Sequence, residues 1–339
     1  MRPLRVAPAT LRKLPVYVPQ WDPSVADKVL VSYVYFQSPV ADVNFAHFIE
    51  HEVQECRHDV DYVVVIQGHT SCLDESDVLP TAQNWHIIRR PNTGYDFGGH
   101  AATLDYLRSQ RKRYAYHLFI NSGVVGPFMT PEKRMLLGNL HWSTCFVERL
   151  NNTVKLVGTT IANLNSTDLG GNGPKVEGFC FATDCIGLEC LVQQKTIFTD
   201  HSTKNKAIIE GEYGLSRCIF NHGYTIDCLI PSYAGVDWTD TDNHTLNNCV
   251  HPSRRHSFFG RDLSPYEVVM HKWYWHNQPA VSLSDVLEIM PDLPYQRGLG
   301  IDYDLYRECY EDLQHMSDGQ AFVHWMTHGK TEGRVAHPL

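Results

Sequence analysis

Much of what this 339-residue chain could have carried is missing from it. No uninterrupted apolar stretch reaches the roughly 18 residues of a membrane-spanning helix. The opening segment, "MRPLRVAPATLRKLPVYVPQWDPSVADKVL", is basic but broken by prolines, and it has no apolar core of signal-peptide length. Ten cysteines include no C-x-x-C pair, which excludes a zinc ribbon and a redox dithiol and leaves free, mostly buried thiols as the expectation. A positive balance is also lacking. With 29 Lys and Arg against 38 Asp and Glu, the net charge of −9 argues against a nucleic-acid partner. These absences lead us to expect a soluble, cytoplasmic protein with no membrane span. The N-x-S/T triplets at Asn151, Asn165 and Asn243 would matter only in a secretory compartment.

What is present is an alternation. The apolar runs "KVLVSYVYF" (28–36), "DYVVVIQG" (61–68), "WHIIRR" (85–90) and "YAYHLFINS" (114–122) read as strands covered on both faces. Segments of helical length lie among them at 43–59 and 98–112. Further strands are expected at 154–161, 176–184 and 225–233, with a helix over 210–224. Strands alternating with helices predict an α/β fold with a mostly parallel central sheet, whose ligands gather at the carboxyl ends of the strands. The Gly/Asn-rich stretch 163–174 reads as a loop. The polar stretch 237–262 reads as a cover over a site, and 265–339 as mainly helical. The expected division is a Pro-rich leader at 1–24, an α/β domain at 25–262 and a helical extension at 263–339.

The chemistry concentrates in "NTGYDFGGH" (92–100), between a strand and a helix. Gly94, Gly98 and Gly99 permit positive φ or close backbone approach, yet the spacing is not G-x-G-x-x-G and no phosphate-loop lysine follows. Asp96 could accept hydrogen bonds from sugar hydroxyls, or it could cap the following helix. The strand end "FINSGVVGPF" (119–128) offers Asn121, Ser122 and Gly123, which hydrogen-bond well but are poor anionic metal ligands.

"RRPNTGYDFGGHAATLDYL" followed by "YHLFINSGVVGPF" resembles the rhamnan-synthesis-F-type glycosyltransferase domains, as do the blocks "VEGFCFATD" and "EGEYGLSRCIFNHGY". The resemblance covers roughly 28–235. It implies a GT-A-like nucleotide-binding sandwich that moves a sugar from a nucleotide-diphosphate donor to a glycan or lipid-linked hydroxyl acceptor. It matches Asn92, Gly94, Asp96, Gly98 and Gly99 to the family's turn, and Asn121, Ser122, Gly126 and Pro127 to the next loop. The family's aspartate after the asparagine is Ser122 here, so the Mn²⁺ or Mg²⁺ that such enzymes use lacks its expected ligand. The tail 303–334 is similar to a short module of bacterial polysaccharide-building proteins.

The resemblance makes Glu212 the candidate base, with Glu210, Glu177 and Asp184 as rivals. Without a metal ion, Arg254, Arg255 and His256 could neutralise a diphosphate. Tyr33, Tyr35 and Gln67, near the ends of the first two strands, are candidate base and ribose neighbours. Two readings compete. One is a non-catalytic glycan-binding protein on the same fold. The other is a zinc peptidase, because "HFIEH" matches H-x-x-E-H through His47, Glu50 and His51.

Overall fold

The first apolar run becomes β1 (Val29–Phe36), buried at every residue until Phe36 emerges at its carboxyl end. The computed structural model describes residues 28–52, 57–68, 79–164, 169, 173–275, 303–316, 321, 324, 328–329 and 332–334. Strand β1 lies parallel to β2 (Val60–Gln67), which lies parallel to β3 (Trp85–Arg90). On its other side β1 pairs in parallel with β4 (Tyr116–Asn121). The remaining strands are β5 (Val154–Gly158), β6 (Ile161–Asn163), β7 (Pro174–Val176), β8 (Cys180–Asp184) and β9 (Thr225–Cys228).

The central sheet runs β3-β2-β1-β4-β8-β5-β9, and β8 is antiparallel to both its neighbours. The fold is therefore α/β with a mostly parallel seven-stranded sheet, as the alternation predicted. The chain leaves β1 toward β2 on one side and reaches β4 on the other, which opens a crevice at the carboxyl ends of β1 and β4.

The helices are α1 (Pro39–Glu52), α2 (Tyr95–Gln110), α3 (Pro131–Leu137), α4 (Thr144–Val147), α5 (Cys185–Gln193) and α6 (Tyr213–Asn221). Helix α1 begins four residues before the expected start. Pro39 suits a first helical turn, and the Ser38 hydroxyl accepts from Ala41 N at 3.1 Å. Helix α2 also starts early, at Tyr95, so Asp96 falls in its first turn while Gly94 takes the cap position.

Strand alternation decides what β1 touches. Tyr33 packs on Phe45 and Phe48 of α1 with ring centroids 5.1 and 4.7 Å apart, and Tyr35 packs on Phe45 at 5.0 Å. Burying each such aromatic is worth roughly 1.5–3 kcal/mol. On the opposite face, Ser32 Oγ meets His100 Nδ1 at 2.9 Å and Thr103 Oγ1 at 2.8 Å on α2.

Several expected elements are divided differently. The strand expected at 154–161 stops at Gly158, and β6 pairs with β7 as a separate antiparallel ribbon. Only 180–184 of the strand expected at 176–184 joins the sheet. The helix expected at 210–224 is a π-helical turn, Ala207–Glu212, running into α6. The strand expected at 225–233 ends at Cys228, and Pro231 opens a 3-10 turn.

The polar stretch 237–262 is part core, because Trp238 and Phe258 are buried in the cluster around Phe97 and Phe119. Residues from 263 onward also continue into the body: Leu263 and Val268 join that cluster, and Val269 and Met270 join the cluster around Tyr33. The leader 1–24 and much of 276–339 lie outside the described residues. Within the tail module, Arg334 Nη1 is 2.9 Å from Asp312 and the guanidinium stacks on Tyr310. The described cysteines are free.

Candidate active site

A cleft opens where β1, β2 and β4 end. One part, about 890 Å³, is lined by Gln67, Asn92, Gly94, Asn121 and Asp200 among others. The adjoining part, about 540 Å³, is lined by Lys175, Glu177, Glu212, His251 and Arg254 among others. Phe36, Tyr95, Asp96, Ser122, Gly123 and Lys272 belong to both parts and form the floor between them.

The glycines of the 92–100 turn have steric tasks. The turn is clamped by Asp200, which Arg90 Nη2 holds at 2.6 Å. A Cβ on Gly94 would lie 2.1 Å from Asp200 Oδ1 and 2.5 Å from its Cα, and a Cβ on Gly98 would lie 2.3 Å from Oδ1. A Cβ on Gly99 would run into both methyls of Val34 at 2.6 Å, so Gly99 lets α2 approach β1. Gly94 and Tyr95 both have positive φ, 75° and 58°. Tyr95, a non-glycine residue in this region, is held by Gln67 Nε2, which donates to its carbonyl at 2.9 Å.

This backbone places Asp96 over the end of β4. Asn121 Oδ1 accepts from Gly123 N at 2.9 Å, which turns its amide so that Nδ2 donates to Asp96 Oδ2 at 2.8 Å. Asp96 Oδ1 accepts from Phe97 N at 3.1 Å. Burial raises the Asp96 carboxyl above the ordinary aspartate range; Asn121 opposes the shift and Glu212 adds to it. Ser122 is buried on the same edge, its Oγ accepting from Phe36 N at 3.3 Å.

The facing wall is ionic. Lys175 on β7 reaches Glu212 at 2.6 Å and Glu177 at 3.5 Å, and His251 Nδ1 lies 3.1 Å from Glu177. Burial alone would lift Glu177, but Lys175 and His251 override it and hold this carboxyl well below the usual range. Burial alone would lower Lys175, yet Glu177 and Glu212 keep it firmly protonated. Glycines permit this packing too. A Cβ on Gly178 would lie 2.8 Å from Glu212 Cγ, and one on Gly211 would lie 2.6 Å from the Phe97 ring. The π-helical turn that presents Glu212 is a geometry found frequently at functional sites.

The structure brings together Gln67, Asn92, Gly94, Asp96, Asn121, Ser122, Glu212 and Arg254 around this cleft. Gly98 and Gly99 stand behind it as packing positions. Tyr33 and Tyr35 do not reach it, because odd positions of β1 face α1. Tyr35 donates to Asp42 at 2.5 Å, and the Tyr33 hydroxyl is buried. The exposed aromatics at the cleft are instead Phe36 and Tyr95, 48% and 41% exposed, with Tyr274, while Phe179 and Trp275 line it from deeper positions.

Arg255 and His256 point outward. The imidazole of His256 lies 3.5 Å from Asp262. Among the rival bases, Asp184 caps α5 and pairs with Lys155 at 2.6 Å, and Glu210 lies 3.8 Å from His201. Glu177 lines the cleft beside Glu212.

His47 and His51 stack on each other at 4.0 Å, and His47 also packs on Phe128. Burial lowers the His47 pKa well below the ordinary histidine value. Among the described residues no group of three His, Cys, Asp or Glu side chains is placed to hold a metal ion, so the zinc-peptidase reading lacks its third ligand.

The cleft fits Mn²⁺ or Mg²⁺ no better, since such ions want several hard, free oxygen ligands. Asp96 already accepts two hydrogen bonds, Glu212 and Glu177 share Lys175, and the position of the expected second acid is Ser122.

Lys272 lines both parts of the cleft and was not among the residues expected there. It follows His271, whose backbone pairs with Val125 in an antiparallel bridge that pins this late segment against the loop after β4. Nothing in the pattern "HKWYW" announces this contact.

No protein-family model matches the chain, and no curated protein matches it. Solved structures with a similar course include three proteins. A mannosyltransferase from Pyrobaculum calidifontis, in complex with GDP-Man and Mn²⁺, is 12% identical over 59% of this chain and 54% of its own, with a TM-score of 0.34. The apo-form glycosyltransferase GlyE of Streptococcus pneumoniae is 10% identical over 91% of this chain and 65% of its own, with a TM-score of 0.34. The glucosyl-3-phosphoglycerate synthase of Mycobacterium tuberculosis, in complex with Mn²⁺, uridine diphosphate and phosphoglyceric acid, is 12% identical over 60% of this chain and 68% of its own, with a TM-score of 0.36. The chain thus spans between 54 and 68% of these neighbours' lengths. No described helix is long and apolar enough to cross a membrane.

Proposed function

We propose that the chain is a glycosyltransferase that moves a hexosyl or pentosyl unit from a nucleotide-diphosphate donor to a hydroxyl of a glycan or lipid-linked acceptor in cytoplasmic glycan synthesis. The observation that carries this reading is the pairing of Asp96 and Glu212 across one cleft at the crevice between β1 and β4. Donor hydroxyls would be read by Asp96, held in orientation by Asn121. Gln67 Oε1 is buried without a hydrogen-bond partner among the described residues, so it offers an acceptor to a ribose or base N–H or O–H. The exposed faces of Phe36 and Tyr95 give a base somewhere to stack.

Glu212, beside the smaller part of the cleft, would take the acceptor's proton. Lys175 lies 2.6 Å from the Glu212 carboxylate and fixes its position at the cleft. The test is release of nucleoside diphosphate from UDP- and GDP-sugars incubated with the purified chain and simple glycan acceptors. Glu212→Gln should lower turnover about 10²- to 10⁴-fold while donor binding stays near wild type. Binding of glycans without turnover of any sugar nucleotide would instead favour the non-catalytic reading.

A further inference from the structure

Of the lysines that line this cleft, Lys175 and Lys272 stand beside its carboxylates, and their surroundings differ. The ammonium of Lys175 is neutralised within the protein by Glu212 and Glu177. Lys272 lies over the faces of Phe179 and Trp275, 5.2 and 4.7 Å from the ring centroids. Among the described residues it makes no hydrogen bond or ion pair, although it lines both parts of the cleft beside Asp96 and Ser122. Burial lowers its pKa below the ordinary lysine value, while Glu177, Glu212 and Asp96 act from longer range to keep the proton on. The half-buried ammonium thus faces the cleft with no acceptor supplied by the described residues, and an anion entering the cleft would meet it.

Its placement is fixed from both sides. The backbone of His271 exchanges hydrogen bonds with Val125 at 2.7 and 3.0 Å. The indole of Trp273 donates to Asn44 Oδ1 at 2.9 Å, and Asn44 Nδ2 donates to the Ser122 carbonyl at 2.9 Å. The segment carrying the ammonium is thereby tied to the residue that stands where an acid was expected.

We propose that Lys272 does the charge-neutralising work of a divalent cation in this cleft, binding the diphosphate of the donor next to Ser122. The inference rests on the donor-transfer reading above. Serine at 122 adds no further carboxylate to the cleft lining that Lys272 shares, so none competes there with the diphosphate. In the transfer, the bond between the sugar's anomeric carbon and the diphosphate oxygen breaks, and its electron pair goes to that oxygen. The acceptor oxygen forms the new bond to the anomeric carbon and gives its proton to Glu212. Lys272 stabilises the negative charge gathering on the departing diphosphate, a role for preorganised positive charge.

The experiment is calorimetric titration of the full chain with UDP, GDP and dTDP, first with EDTA and then with Mn²⁺. The wild-type chain should bind at least one of them in EDTA, with an affinity that Mn²⁺ changes by less than about threefold. Lys272→Met should weaken binding about 30-fold or more, and Lys272→Arg should retain most of it. Wild-type binding that appears only with Mn²⁺ overturns the inference and leaves the donor reading intact. Equal affinity in a folded Lys272→Met chain does the same. The metal comparison uses the wild-type chain, so it decides the matter even where Lys272→Met fails to fold. Absence of binding by the wild type in both conditions removes the donor reading itself, and this inference with it.

Discussion

The two walls of the cleft hold their polar groups by different physics. The wall built on β1, β2, β4 and the 92–99 turn is positioned by backbone: glycines, two successive positive-φ residues and neutral amide hydrogen bonds. The wall of Lys175, Glu177, Glu212 and His251 is positioned by charge, with partners drawn from distant parts of the chain. The first should be sensitive to an added methyl, with the Arg90–Asp200 pair as its ionic clamp. The second should be sensitive to a lost partner. The largest effect is therefore expected at Lys175. Replacing it by Met takes the shared cation from Glu212 and from the buried Glu177, which keeps His251 beside it, and should cost about 3–5 kcal/mol in urea unfolding. A loss below about 1 kcal/mol would show that this wall is not held by its charges.

The backbone wall makes its own prediction through Asp200. Gly94→Ala combines a positive φ with a clash against the Asp200 backbone, and should cost about 2–4 kcal/mol. Gly98→Ala meets mainly the Asp200 carboxylate, so it should cost less, about 1–3 kcal/mol. Asp200→Ala should then rescue much of the Gly98→Ala loss but little of the Gly94→Ala loss, because the Asp200 Cα remains. A double-mutant cycle for each glycine measures this, with a coupling of about 1 kcal/mol or more expected only for Gly98. Equal coupling at both positions would mean that the turn adjusts as a unit.

The same contrast explains what could be read from the sequence. Strands β1, β2 and β4 were legible because each is a short, nearly continuous apolar run, and their loops had to open on one edge once the sheet was parallel; β3, expected as a buried strand, is instead a partly exposed edge strand. Asp96, Asn121 and Ser122 could be expected at the cleft because their loops lie between such runs. The separation of β7 from β8 was not legible, since it lies in their partners: β7 pairs with β6 in a separate ribbon, while β8 enters the central sheet between β4 and β5. Lys272 was invisible for a similar reason: its position depends on a bridge between His271 and Val125. Tyr33 and Tyr35 were misplaced because aromatics in a strand covered on both faces give no sign of which layer each one meets.

The smallest predicted effect separates one carboxylate on each wall. Glu177 is held below the ordinary glutamate value, so it contributes stability that is fully present above about pH 4.3 and is lost as pH falls through its folded value. Asp96 is shifted the other way by burial. Its ionised form is disfavoured in the fold, and the penalty is complete above its raised folded value and disappears below about pH 3.9, the ordinary value for aspartate. Asp96→Asn removes that penalty and keeps an oxygen for Asn121. At neutral pH it should therefore leave stability unchanged or raise it by up to about 1 kcal/mol, with the advantage shrinking as pH falls. Sugar-nucleotide binding should weaken about tenfold or more in the same variant, because the charged acceptor for the donor's hydroxyls is gone. Thermal melting from pH 3 to pH 7, paired with donor calorimetry, checks both halves. A variant less stable than wild type at neutral pH would place Asp96 among the groups that hold the turn together, and its burial would then serve the fold and not the ligand.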